Sequence, residues 1–290
     1  MWRRLSLPTS RGNAAGGYTL TEVLVALTVG GAVVLIAVAG YVFATKTWQA
    51  ERQRLETQQN LRTAVDLLSR EIRLAGACLP GSGPREIRLP ILGLNGVGPG
   101  GLAEDSITVR ANVRCAIETV REAVVRGATT IELYTVTNFV PGMQAYILHQ
   151  NSGEFIRIES VDQAASRLVL AAPLSRGYPV NSTVYGAEEQ TFAIDSSGTT
   201  PVLTMTPSLG TAQPAVAGIE RLDIRYVLDR NCNPGPCDVV DLPTSDEEWL
   251  LVRAVLVDVG ARSARRVEGS GDGFYRLGQT FEVKPRNFLF

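Results

Sequence analysis

YTLTEVLVALTVGGAVVLIAVAGYVFATK, residues 18–46, carries no charge between Glu22 and Lys46, a gap of 23 residues. Wound as an α-helix at about 1.5 Å per residue, such a run spans roughly 35 Å, enough to cross the ~30 Å hydrocarbon core of a bilayer. The preceding stretch MWRRLSLPTSRGNAAGG holds Arg3, Arg4 and Arg11 and no acid. Arginines before the span and a long polar remainder after it predict a cytoplasmic N-terminus and an exported C-terminal bulk. A secretory signal places its small residues after the apolar run. Here Ala14, Ala15, Gly16 and Gly17 come before it, so cleavage after Gly17 would leave the whole membrane helix on a chain beginning at Tyr18. A carboxylate such as Glu22 costs roughly 2.5 to 3.5 kcal/mol at mid-bilayer, less near an interface, so it calls for a partner. The new amine of a neighbouring chain is one.

Working outward, the pattern becomes amphipathic over 46–77. Trp48, Leu55, Leu61, Val65, Leu68, Ile72 and Ala75 form one stripe, opposite Glu51, Arg52, Arg54, Glu56, Arg62, Asp66, Arg70, Glu71 and Arg73. No proline lies between Pro8 and Pro80, so both halves can run as one helix of about 55 residues, on the order of 80 Å, softened at Gly30, Gly31 and Gly40. Gly76 ends it, and the Pro- and Gly-rich stretch 80–101 reads as loop.

From Ser106 onward the chain alternates in short runs broken by turn signals, which predicts β structure. Strands are expected at 106–110, 130–136, 145–148, 155–161, 168–171, 191–194, 202–206, 222–228, 250–259 and 280–283. The clean alternation of 222–228 predicts one buried and one wet face. The continuous apolar run 250–257 suits a central strand with the long helix on one side. The fold class is therefore α+β: a long N-terminal helix with a transmembrane half (18–45) and an amphipathic half (46–77), packed on a mostly antiparallel β domain (78–290).

Composition narrows the function. At 45% hydrophobic and net charge −1 the chain folds rather than staying disordered, and its near-balance of 28 basic and 29 acidic residues lacks the global charge of a nucleic-acid binder. Only one histidine, His149, is present, so histidine-rich metal sites and Ser-His-Asp or Cys-His chemistry would rest on it alone. It reads as a surface-loop residue. Neither a phosphate-binding Gly-rich loop with Lys-Ser/Thr nor a G-x-S-x-G elbow occurs, so no enzyme, cofactor or metal is expected. Acids gather at Asp238, Asp241, Asp246, Glu247 and Glu248 and again at Asp272, without the spacing of a calcium loop, and read as a solvated acidic surface. Arg262, Arg265 and Arg266 read as an ordinary wet turn. In an exported domain four cysteines default to pairing. The loop Cys232-Asn-Pro-Gly-Pro-Cys237 turns tightly enough for a local bridge, and Cys78 with Cys115 would tie the helix end to the first part of the sheet. Burial as free thiols is the alternative to both.

The motif Gly17-Tyr18-Thr19-Leu20-Thr21-Glu22 followed by an apolar helix closely resembles the class III signal of type IV pilins and type II secretion pseudopilins. That resemblance implies cleavage between Gly17 and Tyr18 by a prepilin peptidase, which removes a leader (1–17), N-methylation of Tyr18, and a role for Glu22 in filament assembly. The segment from Val65 to Gly76 with Cys78 looks like the PilW family of minor pilins and is also similar to the J-type pseudopilin. The chain lacks the proline that many major pilins carry in this helix. An inserted β module (about 128–190), resting on Phe139 to Gln144, Glu154 to Val161, Leu168 to Leu170 and Pro173 to Tyr178, also resembles PilW-like proteins, although Gln144 stands where the family often has Asp. So does the closing Glu282-Val283-Lys284-Pro285-Arg286-Asn287. What this implies is a pilin-like subunit of a type IV pilus, single-pass in the inner membrane before assembly and on a periplasmic or surface pilus after it. Its partners would be prepilin peptidase, other minor and major pilins through the N-terminal helix, and a surface ligand or DNA. The alternatives are a J-type pseudopilin, against which the chain's size counts, and an unprocessed membrane-anchored binding module.

Overall fold

The computed structural model describes residues 18–81, 83–96, 105–207, 210–230, 232, 236–267 and 271–285. One helix, α1 (Leu20–Leu74), runs uninterrupted through 55 residues, as the absence of proline predicts. The chain divides into two compact units at Arg52/Gln53. In the first, α1 presents apolar side chains on every face, including Leu35, Ile36 and Phe43, all exposed. A helix apolar all round has no wet face to give water and belongs in a protein core or in lipid. Gly30, Gly31 and Gly40 abut no side chain among the described residues.

In the second unit the rest of α1 buries Thr57, Leu61, Ala64, Leu68 and Ile72. The stripe is narrower than expected, because Leu55 is exposed and Val65 only half-buried; Trp48, in the first unit, is exposed as well. The helix stops where predicted: Gly76 takes φ +79° and donates its N–H to the Arg110 carbonyl at 2.9 Å.

After α1 come α2 (Arg85–Arg88), β1 (Ile91–Leu94), β2 (Ser106–Ala111), β3 (Ile117–Thr119), β4 (Thr130–Glu132), β5 (Gln144–His149), β6 (Ser152–Asp162) and β7 (Arg167–Leu170). They are followed by β8 (Thr183–Gly186), β9 (Glu188–Asp195), β10 (Val202–Pro207), β11 (Gln213–Ala217), β12 (Ile219–Leu228), β13 (Asp238–Val240), α3 (Asp246–Leu250), β14 (Val252–Arg262) and β15 (Arg276–Val283). Thus 80–101 is not all loop. Short α2 and β1 sit within it, and β1 pairs with β2 in register Ile91↔Val109. The run expected as strand 250–259 begins with the end of α3: Ser245 caps that helix by accepting the Glu248 N–H, and the strand starts at Val252.

A five-stranded sheet of order β1-β2-β9-β10-β11 and a four-stranded sheet of order β13-β12-β14-β15 share one core with α1. Leu68 and Ile72 of the helix meet Phe192 of one sheet and Ile224 and Val257 of the other in that cluster. As predicted, β14 is central, between β12 and β15, and β12 buries Leu222, Ile224, Tyr226 and Leu228 in alternation. Asp105 couples the two sheets: its N–H donates to Leu222 O at 3.0 Å, and its Oδ2 accepts the Ile224 N–H at 2.7 Å.

The remaining six strands, in order β3-β8-β5-β6-β7-β4, form the inserted module. The two end strands meet through a bridge between Val120 and Leu133, and Arg121 N–H donates to Glu132 O at 2.8 Å, so the sheet closes into a barrel. Its interior holds Ile131, Ala145, Ile147, Ile158, Leu168 and Val184. The module starts about ten residues before the expected 128, because β3 supplies one staple of the closure, and its last strand ends at Gly186, while β9 belongs to the five-stranded sheet.

Candidate functional site

At the start of α1, Thr19 and Glu22 satisfy one another. The Glu22 carboxylate accepts the Thr19 N–H and the Thr19 hydroxyl, both at 2.9 Å, and the Glu22 N–H donates to Thr19 Oγ1 at 3.3 Å. This is a capping box, T-x-x-E, which pairs two of the amides every helix start leaves open. It was legible as a spacing in the sequence, and it gives Glu22 an intrachain role beside the intermolecular one that the resemblance implies. Tyr18, immediately before, is 88% exposed. Gly17 and the leader lie outside the described residues. Downstream, α1 is long and apolar enough to cross a membrane.

Both cysteine pairs are bridged in the expected connectivity: Cys78–Cys115 with Cα atoms 5.2 Å apart and Cys232–Cys237 with Cα atoms 4.2 Å apart. Cys78 and Cys115 both hold positive φ. Their bridge joins the end of α1 to the turn that leads into the barrel. Beside it lies a residue that the sequence reading passed over. Fully buried Asn112 accepts the Ala116 N–H at 2.9 Å and donates to Ala116 O at 3.0 Å and to Cys78 O at 3.3 Å, while its own N–H donates to Ala77 O at 2.7 Å. Gly186, at the barrel exit, is part of this joint, since a Cβ there would lie 2.5 Å from Asn112 Oδ1. One side chain therefore ties together the helix end, the barrel entry and the barrel exit.

Of the acids after Cys237, Asp241 and Glu247 stand exposed, as a solvated surface predicts, while the others are drawn into surface ion pairs. Arg230 spans Asp238 and Glu248, each at 2.8 Å, and Arg88 reaches Asp246 at 3.5 Å. The Glu248 carboxyl is held below its ordinary range first by the N–H and hydroxyl of Thr244, then by Arg230. Asp272 is likewise lowered, chiefly by Arg276, which it meets at 2.6 Å. Among the described residues no set of three His, Cys, Asp or Glu side chains is arranged to hold a metal ion. Arg262 is not merely a wet-turn residue: its guanidinium lies 4.7 Å from the centre of the Phe274 ring and donates to Thr199 O at 2.8 Å. His149 ends β5, at the tip of the barrel hairpin opposite Ser152.

The chain matches no family model and no curated protein.

Proposed function

We propose that the chain is a PilW-like minor pilin. It is processed after Gly17, methylated at Tyr18, held in the inner membrane by the first part of α1, and then drawn through that helix into a type IV pilus, where the β domain is displayed and takes part in initiation, adhesion, motility or DNA uptake. The observation that carries the reading is the junction itself. A small-residue cleavage point and an acid at the fifth position beyond it stand at the start of a 55-residue helix whose first part is a charge-free stretch of 23 residues and whose last part packs in the core of a β-rich unit. An apolar helix end with no wet face suits either lipid or a bundle of like helices, and exchange between the two is what filament growth requires. Two disulfides accord with an oxidising compartment for the β domain.

The capping box favours a second reading, a membrane-anchored display module that is never processed, because it satisfies Glu22 within its own chain. The two part at the peptide bond after Gly17. Intact mass of the protein recovered from its native membrane, beside a Gly17→Val variant, tests this. The pilin reading expects a chain beginning at singly methylated Tyr18 and full retention of the leader in the variant. A wild-type chain that keeps residues 1–17 overturns it.

A further inference from the structure

On the barrel, the β5–β6 hairpin and the segment 176–179 line a cleft of ≈ 380 Å³. Tyr178 forms its base. Its ring is buried and its hydroxyl donates to Glu154 Oε1 at 3.0 Å, while the same carboxylate accepts the Ser175 N–H at 3.0 Å, so the segment is held from both sides. Gly177 lets it lie close, since a Cβ there would sit 3.1 Å from Val124 O. Around this fixed base stand Arg176 and His149, the only histidine in the chain, with the Gln150 and Asn151 amides and the Ser152 hydroxyl along the rim.

Two features of this cleft are not needed for folding. Arg176 is exposed and makes no hydrogen bond or ion pair with any described residue, although Glu154 lies on the neighbouring strand. Its charge nevertheless reaches Tyr178, opposing the burial and the Glu154 charge that push that phenol upward. The hairpin turn, moreover, puts Gln150 at φ +54°, in the left-handed region that favours glycine, so a glutamine there carries a local backbone cost.

We infer that this cleft binds a carboxylated sugar unit, a uronic or sialic acid residue of an extracellular glycan. Arg176 would fork the carboxylate, the His149, Gln150 and Asn151 groups would bond ring hydroxyls, and the exposed ring of Pro179 would support the apolar face. The planar guanidinium matches a carboxylate through two parallel N–H bonds. Amides, each both donor and acceptor, suit hydroxyls, which are also both. The volume sits at the small end of ligand sites and fits one saccharide unit, not an extended strand. The rim also lacks exposed aromatics on which bases of single-stranded DNA would stack. The source of the sugar, though not the binding itself, rests on the extracytoplasmic placement of the domain proposed above.

The test uses the full chain in detergent micelles, with methyl glucuronide titrated by saturation-transfer NMR against methyl glucoside, glucose 6-phosphate and a single-stranded oligonucleotide. Methyl glucuronide is expected to bind, with the neutral glucoside about tenfold weaker for want of the charged pair. Arg176→Met should weaken binding by a similar factor without changing the melting temperature, because the side chain has no structural partner. Gln150→Gly should raise the melting temperature while weakening binding, a pairing of signs that a purely structural glutamine would not give. No transfer to the glucuronide, binding that survives both variants, or a preference for the phosphate or the oligonucleotide would each overturn the inference. A β domain found on the cytoplasmic side in a protease-protection assay would instead overturn the pilin reading and leave the binding result standing.

Discussion

Replacing Asn112 by alanine is expected to loosen the joint between the sheets and the barrel more than any surface change of the same size. The side chain serves one buried N–H and two carbonyls; the alanine variant leaves the Ala116 N–H with no acceptor and withdraws a donor from Ala116 O and Cys78 O. Ala116 O retains the Gly186 N–H at 2.7 Å, so its loss is partial. One orphaned buried amide costs about 1 to 3 kcal/mol and two weakened carbonyl contacts add about 1, giving roughly 2 to 4 kcal/mol. Asn112→Asp should cost more, because a carboxylate keeps the bond from Ala116 N–H but faces two carbonyls with charge. The assay is urea unfolding followed by the fluorescence of buried Trp249, with hydrogen exchange at the Ala116 amide as the local readout. An alanine variant within about 0.5 kcal/mol of wild type, the scatter of neutral surface changes, would refute the reasoning.

Three further outcomes follow from other sites. Tyr226 buries its hydroxyl over Gly93 without a partner among the described residues, so Tyr226→Phe should be neutral or stabilising by up to about 1 kcal/mol, whereas Gly93→Ala, whose Cβ would lie 1.9 Å from that oxygen, should abolish cooperative melting. Burial raises the Asp105 pKa against the opposing bonds from the Ile224 and Gly96 N–H groups. A raised folded-state pKa gives a contribution complete below the ordinary aspartate range and lost as pH rises through the folded value, so wild type should lose stability relative to Asp105→Asn over that window in pH-dependent denaturation. Thr19→Ala should cost the first turn of α1 about 1 kcal/mol, read as faster amide exchange at residues 20–23 in micelles; unchanged protection there would remove the capping box.

The long helix was legible because its signals are local: a charge gap, an unbroken run without proline and a glycine at the end. So were the alternation of β12 and both cysteine pairs. What escaped depends on distant partners. Strand β1 lies inside a Pro- and Gly-rich stretch and exists because β2 offers it an edge. Helix α3 was hidden by the apolar Trp249-Leu250-Leu251, although Ser245 three residues before Glu248 is a capping signal that could have shown it. Barrel closure turns on Val120 meeting Leu133, and the acidic cluster turns on Arg230 and Arg88 arriving from elsewhere in the chain; neither encounter leaves a mark in periodicity. Asn112 looked like any polar residue after a strand.

The register of β2 with β9 sets Ala111 opposite Glu188, so everything from 112 to 187 occupies the place of a hairpin turn. A chain built this way can exchange the intervening cassette without rewriting its scaffold. Excising the barrel and joining Ala111 to Glu188 through an Asn-Gly turn would restore a plain hairpin, and another closed domain with adjacent ends could be spliced into the same two positions. The scaffold and its cargo would then be free to diversify at separate rates, with the joint around Asn112, the Cys78–Cys115 bridge and the packing of Ile87 against Tyr146 and Leu148 as the seams that must be matched.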